Sequence, residues 1–132
     1  MKYHHSRTFT NTTLEKLRPR VEEALKTEGF GVLTEIDIQA TMKNKLDKDY
    51  LPHVILGACN PVYADKILSI EPNVSTLLPC NVCIRELENG DYEVSAMNPM
   101  VAMQAVKNPS IETEAKDVDQ KLQNIIKNIS TK

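Results

Sequence analysis

The hydrophobic and polar positions fall into short alternating runs separated by stretches of helical period. Met1 to Thr10 alternates, with Tyr3, His5, Arg7 and Phe9 sharing one side, which predicts a strand. Thr12 followed by Glu15 has capping-box spacing, and Leu14, Leu17, Val21, Ala24 and Leu25 recur at helical intervals, so an amphipathic helix is expected to run to Gly29. Pro19 lies inside it, where a missing N–H and a crowded preceding turn require a kink or a later start. Phe30 to Ile38 then predicts a second strand, with Val32, Thr34, Ile36 and Ile38 on one side and Leu33, Glu35 and Asp37 on the other. A short polar helix over Gln39 to Leu46 and a strand over His53 to Cys59, entered through Pro52, complete the first half.

The second half is punctuated by Asn-Pro at Asn60-Pro61, Asn98-Pro99 and Asn108-Pro109. Asparagine accepts from an orphan N–H at a helix start, and proline at the first helical position gives up a donor that has no partner there. Three helices are therefore predicted: Pro61 to about Ile70, burying Ala64, Ile67 and Leu68; a turn or two through Met100 and Met103; and a long C-terminal helix. In the last, Ile111, Ala115, Val118, Leu122, Ile125 and Ile129 advance by alternating fours and threes, a narrow seam suited to packing on a sheet or on a partner. Between them, Leu77 to Leu87, Asn89-Gly90 and Tyr92 to Met97 predict an antiparallel hairpin. The order of elements implies an α+β fold: a mostly antiparallel sheet of about five strands with helices packed on it, the long C-terminal helix among them. At 132 residues, 1–132 is expected to be a single domain.

Composition narrows the function. With 41% hydrophobic and 26% charged residues the chain can bury a core, and a formal charge of −2 without a basic stripe argues against a nucleic-acid partner. The first ten residues lack the apolar run of a secretory signal, and the longest apolar stretch, Val54 to Cys59, cannot span a bilayer, so a soluble, cytoplasmic protein without a membrane partner is expected. Three cysteines in a chain of this size do not make a disulfide framework.

The candidate chemistry centres on Cys59-Asn60-Pro61 and Cys80. Cys59 ends a strand just before a helix N-terminus, whose unpaired N–H groups suit an anion or a thiolate. If the strands ending at Cys59 and starting at Cys80 pair antiparallel, the two thiols meet at one sheet edge, as a reactive pair or as two small apolar residues under a helix. Lys43 and Lys45 are candidates to close over an anion there. Cys80 and Cys83 have CxxC spacing, but three residues apart on a strand they point to opposite faces, which disfavours a redox pair. His4 and His5 diverge for the same reason. Met97, Met100 and Met103 with the cysteines form a soft donor set suited to copper(I), although methionines in such a stripe more often fill a core; no metal and no cofactor are expected.

The chain resembles the domain-of-unknown-function family numbered three hundred and two. The resemblance rests on Gly29-Phe30-Gly31, Ile36-Asp37, Lys45, Ile55-Leu56-Gly57-Ala58-Cys59-Asn60-Pro61, Ala64, Leu68 and Leu77-Leu78-Pro79-Cys80-Asn81-Val82; Pro19 and Cys83 depart from it. It implies a small α+β fold and a homodimer, and it directs attention to Cys59, Asn60, Pro61 and Cys80. The expected function is binding of a small molecule or anion in a pocket beside the Pro61 helix, lined by Cys59, Asn60, Pro61 and Cys80 and reached by Lys45 and Lys43. The alternatives are a thiol-dependent enzyme or redox sensor using Cys59 and Cys80, and a dimeric interaction protein without a chemical site that uses the C-terminal seam.

Overall fold

The computed structural model describes residues 2–132; Met1, at the start of the first predicted strand, lies outside them. Five strands form one sheet: β1 (His4–Phe9), β2 (Gly31–Asp37), β3 (His53–Cys59), β4 (Cys80–Glu86) and β5 (Tyr92–Met97). Their order across the sheet is β1-β5-β4-β3-β2, and every neighbouring pair is antiparallel. Five α-helices accompany them: α1 (Leu14–Thr27), α2 (Ile38–Leu46), α3 (Pro61–Ile70), α4 (Pro99–Gln104) and α5 (Glu112–Asn128). Short 3₁₀ turns at Pro72–Leu77 and Pro109–Ile111 follow α3 and lead into α5.

Helix ends follow the sequence chemistry. All three Asn-Pro pairs cap as expected: Asn60, Asn98 and Asn108 accept from the N–H groups of Tyr63, Met100 and Ser110. The N-cap of α1 is Thr13, one residue after the expected Thr12, and it accepts from Lys16 N–H at 3.3 Å. Pro19 sits within α1, so the helix does not wait for the proline. At the other end, Gly29 takes φ +82° while Phe30 N–H donates to Leu25 C=O and Gly29 N–H to Lys26 C=O, a Schellman ending that a side chain would strain.

One face of the sheet carries the core. Val54, Leu56 and Ala58 of β3, Cys80, Val82 and Ile84 of β4, and Tyr92, Val94 and Ala96 of β5 are buried together with Leu17, Val21 and Leu25 of α1 and Val118, Leu122 and Ile125 of α5. The C-terminal seam is thus consumed within the chain: Ile111, Ala115, Val118, Leu122, Ile125 and Ile129 are all buried. A seam already covered by the sheet cannot serve as the dimer face that its spacing allowed. Arg7 of β1 closes the end of α5, donating to the carbonyls of Ile126, Lys127 and Ile129 at 3.2, 2.9 and 3.1 Å, with its guanidinium 4.5 Å from the Phe9 ring centre.

Three expectations change. The alternation over Phe30 to Ile38 breaks at Leu33, because Val32 pairs with Ala58 and Thr34 already with Gly57, so Leu33 is a bulged residue. Val32 therefore turns to the core face while Thr34 and Ile36 turn away from it, and Ile38 begins α2. The β4–β5 hairpin ends at Glu86 and Tyr92, leaving the five residues Leu87 to Asp91 as its loop, with Gly90 at φ +90°. Leu77, expected in a strand, closes a 3₁₀ turn.

Candidate functional site

The antiparallel pairing of β3 with β4 sets Ala58 opposite Cys80, so Cys59 and Cys80 lie at the same end of the sheet, while alternation along β3 directs Cys59 to the face opposite Cys80. The strand pairing that the sequence suggested is present, and it brings the two residues to one end of the sheet. Cys80 is buried and Cys59 half-buried, and both are free thiols. Asn60 follows as a buried polar residue with its side chain fully engaged: Nδ2 donates to Glu28 C=O at 3.1 Å and Oδ1 accepts from Tyr63 N–H at 3.5 Å. It thereby ties the start of α3 to the end of α1, where Gly29 leaves room; a Cβ there would stand 3.1 Å from Asn60 Nδ2. Pro61 occupies the first helical position of α3.

A cavity of about 30 Å³ lies beneath α3, bordered by Cys59 and Asn60, by Cys80, and by Phe30, Tyr63 and Ala115 among others. It exists because the chain builds two apolar clusters. The larger joins the sheet to α1 and α5 and is flanked by Met97 and Tyr63; the smaller gathers Ile67, Val74 and Ile111 with Leu78 and Met103 around it. The cavity runs along their junction, and α3, of which only Ile67 is buried, forms its roof. Of the helical positions expected to be buried, Ala64 and Leu68 are only partly so.

The electrostatics do not favour a thiolate. Burial, with a smaller contribution from Cys59, pushes the Cys80 thiol up from the usual 9.0 to about 11. Burial also raises Cys59. Among the described residues no histidine and no cationic side chain borders the cavity, so neither a general base nor a counter-charge there offsets that burial.

Lys43 and Lys45 are not brought to this site. They sit in α2, which starts where Asp37 pairs with Val54, at the far end of β3 from Cys59 and about 17 Å away along the strand. Lys43 instead binds Asp47 at 2.8 Å and Asp49 at 3.2 Å. Because α2 joins β2 to β3 at the end of those strands remote from Cys59, it separates residues that the one-dimensional reading placed together.

Cys83 lies on the opposite face of the sheet from Cys80, as strand alternation requires. That outer face carries His4, Ser6, His53, Arg85, Glu93 and Ser95, whose polar atoms largely satisfy one another. His4 Nδ1 is 2.6 Å from Ser6 Oγ, which is 2.8 Å from Ser95 Oγ, and Arg85 pairs with Glu93 at 2.9 Å. His5 faces the other way and meets Asp119 at 2.6 Å. Among the described residues, no three histidines, cysteines, aspartates or glutamates come together as a metal-binding group, and no helix is long and apolar enough to cross a membrane.

Pro61, expected in the lining, does not border the cavity, whereas Phe30, Ala58, Tyr63 and Ala115 are among the lining residues that sequence reasoning missed. Nothing local marks them as lining a cavity, since which elements surround each is set by the tertiary fold.

The whole chain has counterparts. A profile described as "Domain of unknown function DUF302" matches residues 5–129. A crystal structure of an uncharacterized conserved DUF302 protein from Bacillus stearothermophilus is similar over 98% of this chain and 100% of that one, at 27% identity and a TM-score of 0.89. Comparison with curated proteins gives no match.

Proposed function

The chain belongs to the DUF302 family, and from that premise we propose that it is a binding module whose cavity beneath α3 holds one small ligand, apolar or soft rather than anionic. The cavity itself carries the reading. Its walls are apolar side chains and sulfur, and its only amide side chain, Asn60, is already spent on Glu28 and Tyr63. At about 30 Å³ it admits one or two waters or an atom-sized guest. Larger guests require α3 to lift, which its single buried side chain makes the least costly movement at the site. A thiol enzyme draws less support, because burial raises both thiols and, among the described residues, no base borders the cavity.

Xenon under pressure tests the module. Saturable shifts of the Ala58, Ala64 and Ala115 methyl resonances are expected, and Ala64→Leu, which fills the space from the helix side, should abolish them. Unchanged spectra at several atmospheres would refute cavity binding.

A second reading, a homodimer, is supported by a different surface. β2 is a sheet edge, with Leu33 and Ile36 exposed, and the adjoining segment exposes Leu46, Tyr50 and Leu51 while α2 buries no side chain. Unpaired strand edges with apolar neighbours are templates for another strand, and a second copy related by a two-fold axis presents the same edge to itself. Sedimentation at micromolar concentration should give a dimer that Leu33→Glu with Ile36→Glu dissociates; a monomeric parent chain would end this reading.

A further inference from the structure

The face of the sheet turned away from α1 and α5 carries an unbalanced row of charge. His53 of β3 stands directly opposite Arg85 of β4, and Arg85 directly opposite Glu93 of β5. Directly opposed residues share a face, with Cβ atoms about 5 Å apart, so the three form one row across three strands. Glu93 Oε1 accepts from Arg85 Nε at 3.1 Å and lies 2.9 Å from Nη2, which balances one side of the guanidinium. On its other side is the half-buried His53. Cations on facing strands repel, and burial, then Arg85, hold His53 below its ordinary value. The next row on this face, Ile55 opposite Cys83, is uncharged and gives no relief. A hollow of about 490 Å³ opens over these residues, and among the described residues Glu93 is the only carboxylate bordering it. Asp49, Glu86 and Glu88 border a second hollow that shares only His53 and Arg85 with the first. Of these, Asp49 is held by Lys43 at 3.2 Å and Glu86 accepts from the Tyr92 hydroxyl at 3.1 Å.

We propose that an oxyanion, the phosphate or carboxylate group of a small molecule, binds in this hollow between Arg85 and His53 and completes the row. Charge complementarity selects the guest: with His53 protonated, two cations face one carboxylate, and an anion from outside supplies the missing charge. A guanidinium presents its N–H groups as a planar fork, and those not turned to Glu93 suit the oxygens of either group. Protonation of His53 and arrival of the anion reinforce each other, because the anion offsets the repulsion from Arg85. Binding therefore strengthens as pH falls through the His53 value and weakens above it. Cys83, half-buried and two residues from Arg85 on the same face, is the floor on which the body of the molecule rests. His4, whose Nδ1 is held by Ser6, borders the far end of the hollow. By strand spacing it lies about 17 Å from Arg85, too far to share one anion with it. Neither Arg85 nor His53 borders the cavity beneath α3, so the two sites are separate.

NMR titration with phenyl phosphate, benzoate and inorganic phosphate, at about pH 6 and constant ionic strength, tests the assignment. Phenyl phosphate and benzoate carry different oxyanions on the same ring, and inorganic phosphate reports the charged group alone. Saturable shifts centred on His53, Cys83 and Arg85 are expected, with the His53 titration midpoint raised by about half a unit at saturation. Tighter binding of phenyl phosphate assigns a phosphate ester to the site, and tighter binding of benzoate a carboxylate. Arg85→Gln should weaken binding about tenfold and Arg85→Lys less, while Glu93→Gln, which removes the competing charge, should tighten it about threefold. Lys43→Gln removes the same charge at α2 and should leave binding unchanged. Amide spectra identify any variant that fails to fold, and the lysine variant keeps the test open should the glutamine one do so. No saturable shift with any probe at tens of millimolar, shifts centred elsewhere, or an equal loss in Lys43→Gln would overturn the proposal. The response to xenon is independent of every one of these outcomes, so the cavity and the sheet face fail separately.

Discussion

Replacing Cys80 by valine should abolish a loss of stability that the protein otherwise suffers in alkali. Valine keeps an apolar side chain of similar bulk at a position only 7% exposed and deletes the one titrating atom. In the fold the thiol titrates at about 11, against a usual value of 9.0 that the unfolded chain regains. The raised folded value means that the stabilising contribution is complete below about pH 9 and is lost as the pH climbs toward 11, because the unfolded state releases its proton first. The difference corresponds to roughly 2.7 kcal/mol once both states are ionised, and to about 1.4 kcal/mol at pH 10. Urea unfolding at pH 8 and pH 10 under reducing conditions measures it, since lysine and tyrosine titrations are common to both proteins and cancel in the comparison. The parent should lose about 1.4 kcal/mol more than Cys80→Val over that interval, at unchanged m-value. Parallel losses in the two proteins would refute the placement of this thiol in an apolar, water-poor setting, and with it the argument against a nucleophilic Cys80.

Arg7→Met keeps an unbranched apolar side chain but removes the guanidinium over Phe9 and three hydrogen bonds to the last carbonyls of α5, and should cost about 2 kcal/mol in urea unfolding, with hydrogen exchange rising first at residues 125–129; protection unchanged there would show that α5 ends without its help. His53, lowered below 6.5 by burial and then by Arg85, should titrate by NMR below that value, and Arg85→Gln should raise it only in part because burial is the larger cause; a full return to 6.5 in the variant would reverse that ranking.

Much of this architecture is legible in the residues themselves. The Asn-Pro pairs are local signals whose chemistry is complete within four residues, and all three cap where expected. The placing of Cys59 and Cys80 at one end of the sheet was readable because one assumption, direct antiparallel pairing of adjacent strands, fixes it, whereas the facing of each thiol follows from alternation along its own strand. Other features needed the third dimension. The bulge at Leu33 reverses the facing of Val32 relative to Thr34, and no composition rule marks a bulge that lacks glycine. Lys43 and Lys45 are close to Cys59 in sequence yet belong to the far end of β3, because the strand's own length carries α2 away. The methionines show the same limit: spacing grouped Met97, Met100 and Met103, while the bend at Asn98 and the course of α4 deliver only Met97 and Met103 to the cavity.

Strand order also sets a timetable for synthesis. β1 is translated first but hydrogen-bonds only to β5, and its side chains His5 and Arg7 find their partners in α5. Between Phe9 and Ile126 the ribosome must add more than a hundred residues, about 6–25 s at ordinary elongation rates. Until β5 is made the segment carrying Phe9 has no strand to pair with, and until α5 follows it His5 and Arg7 lack their partners, so a ribosome stalled before Asp119 would release a product whose β1 can pair with β5 but is uncovered on its α5 side.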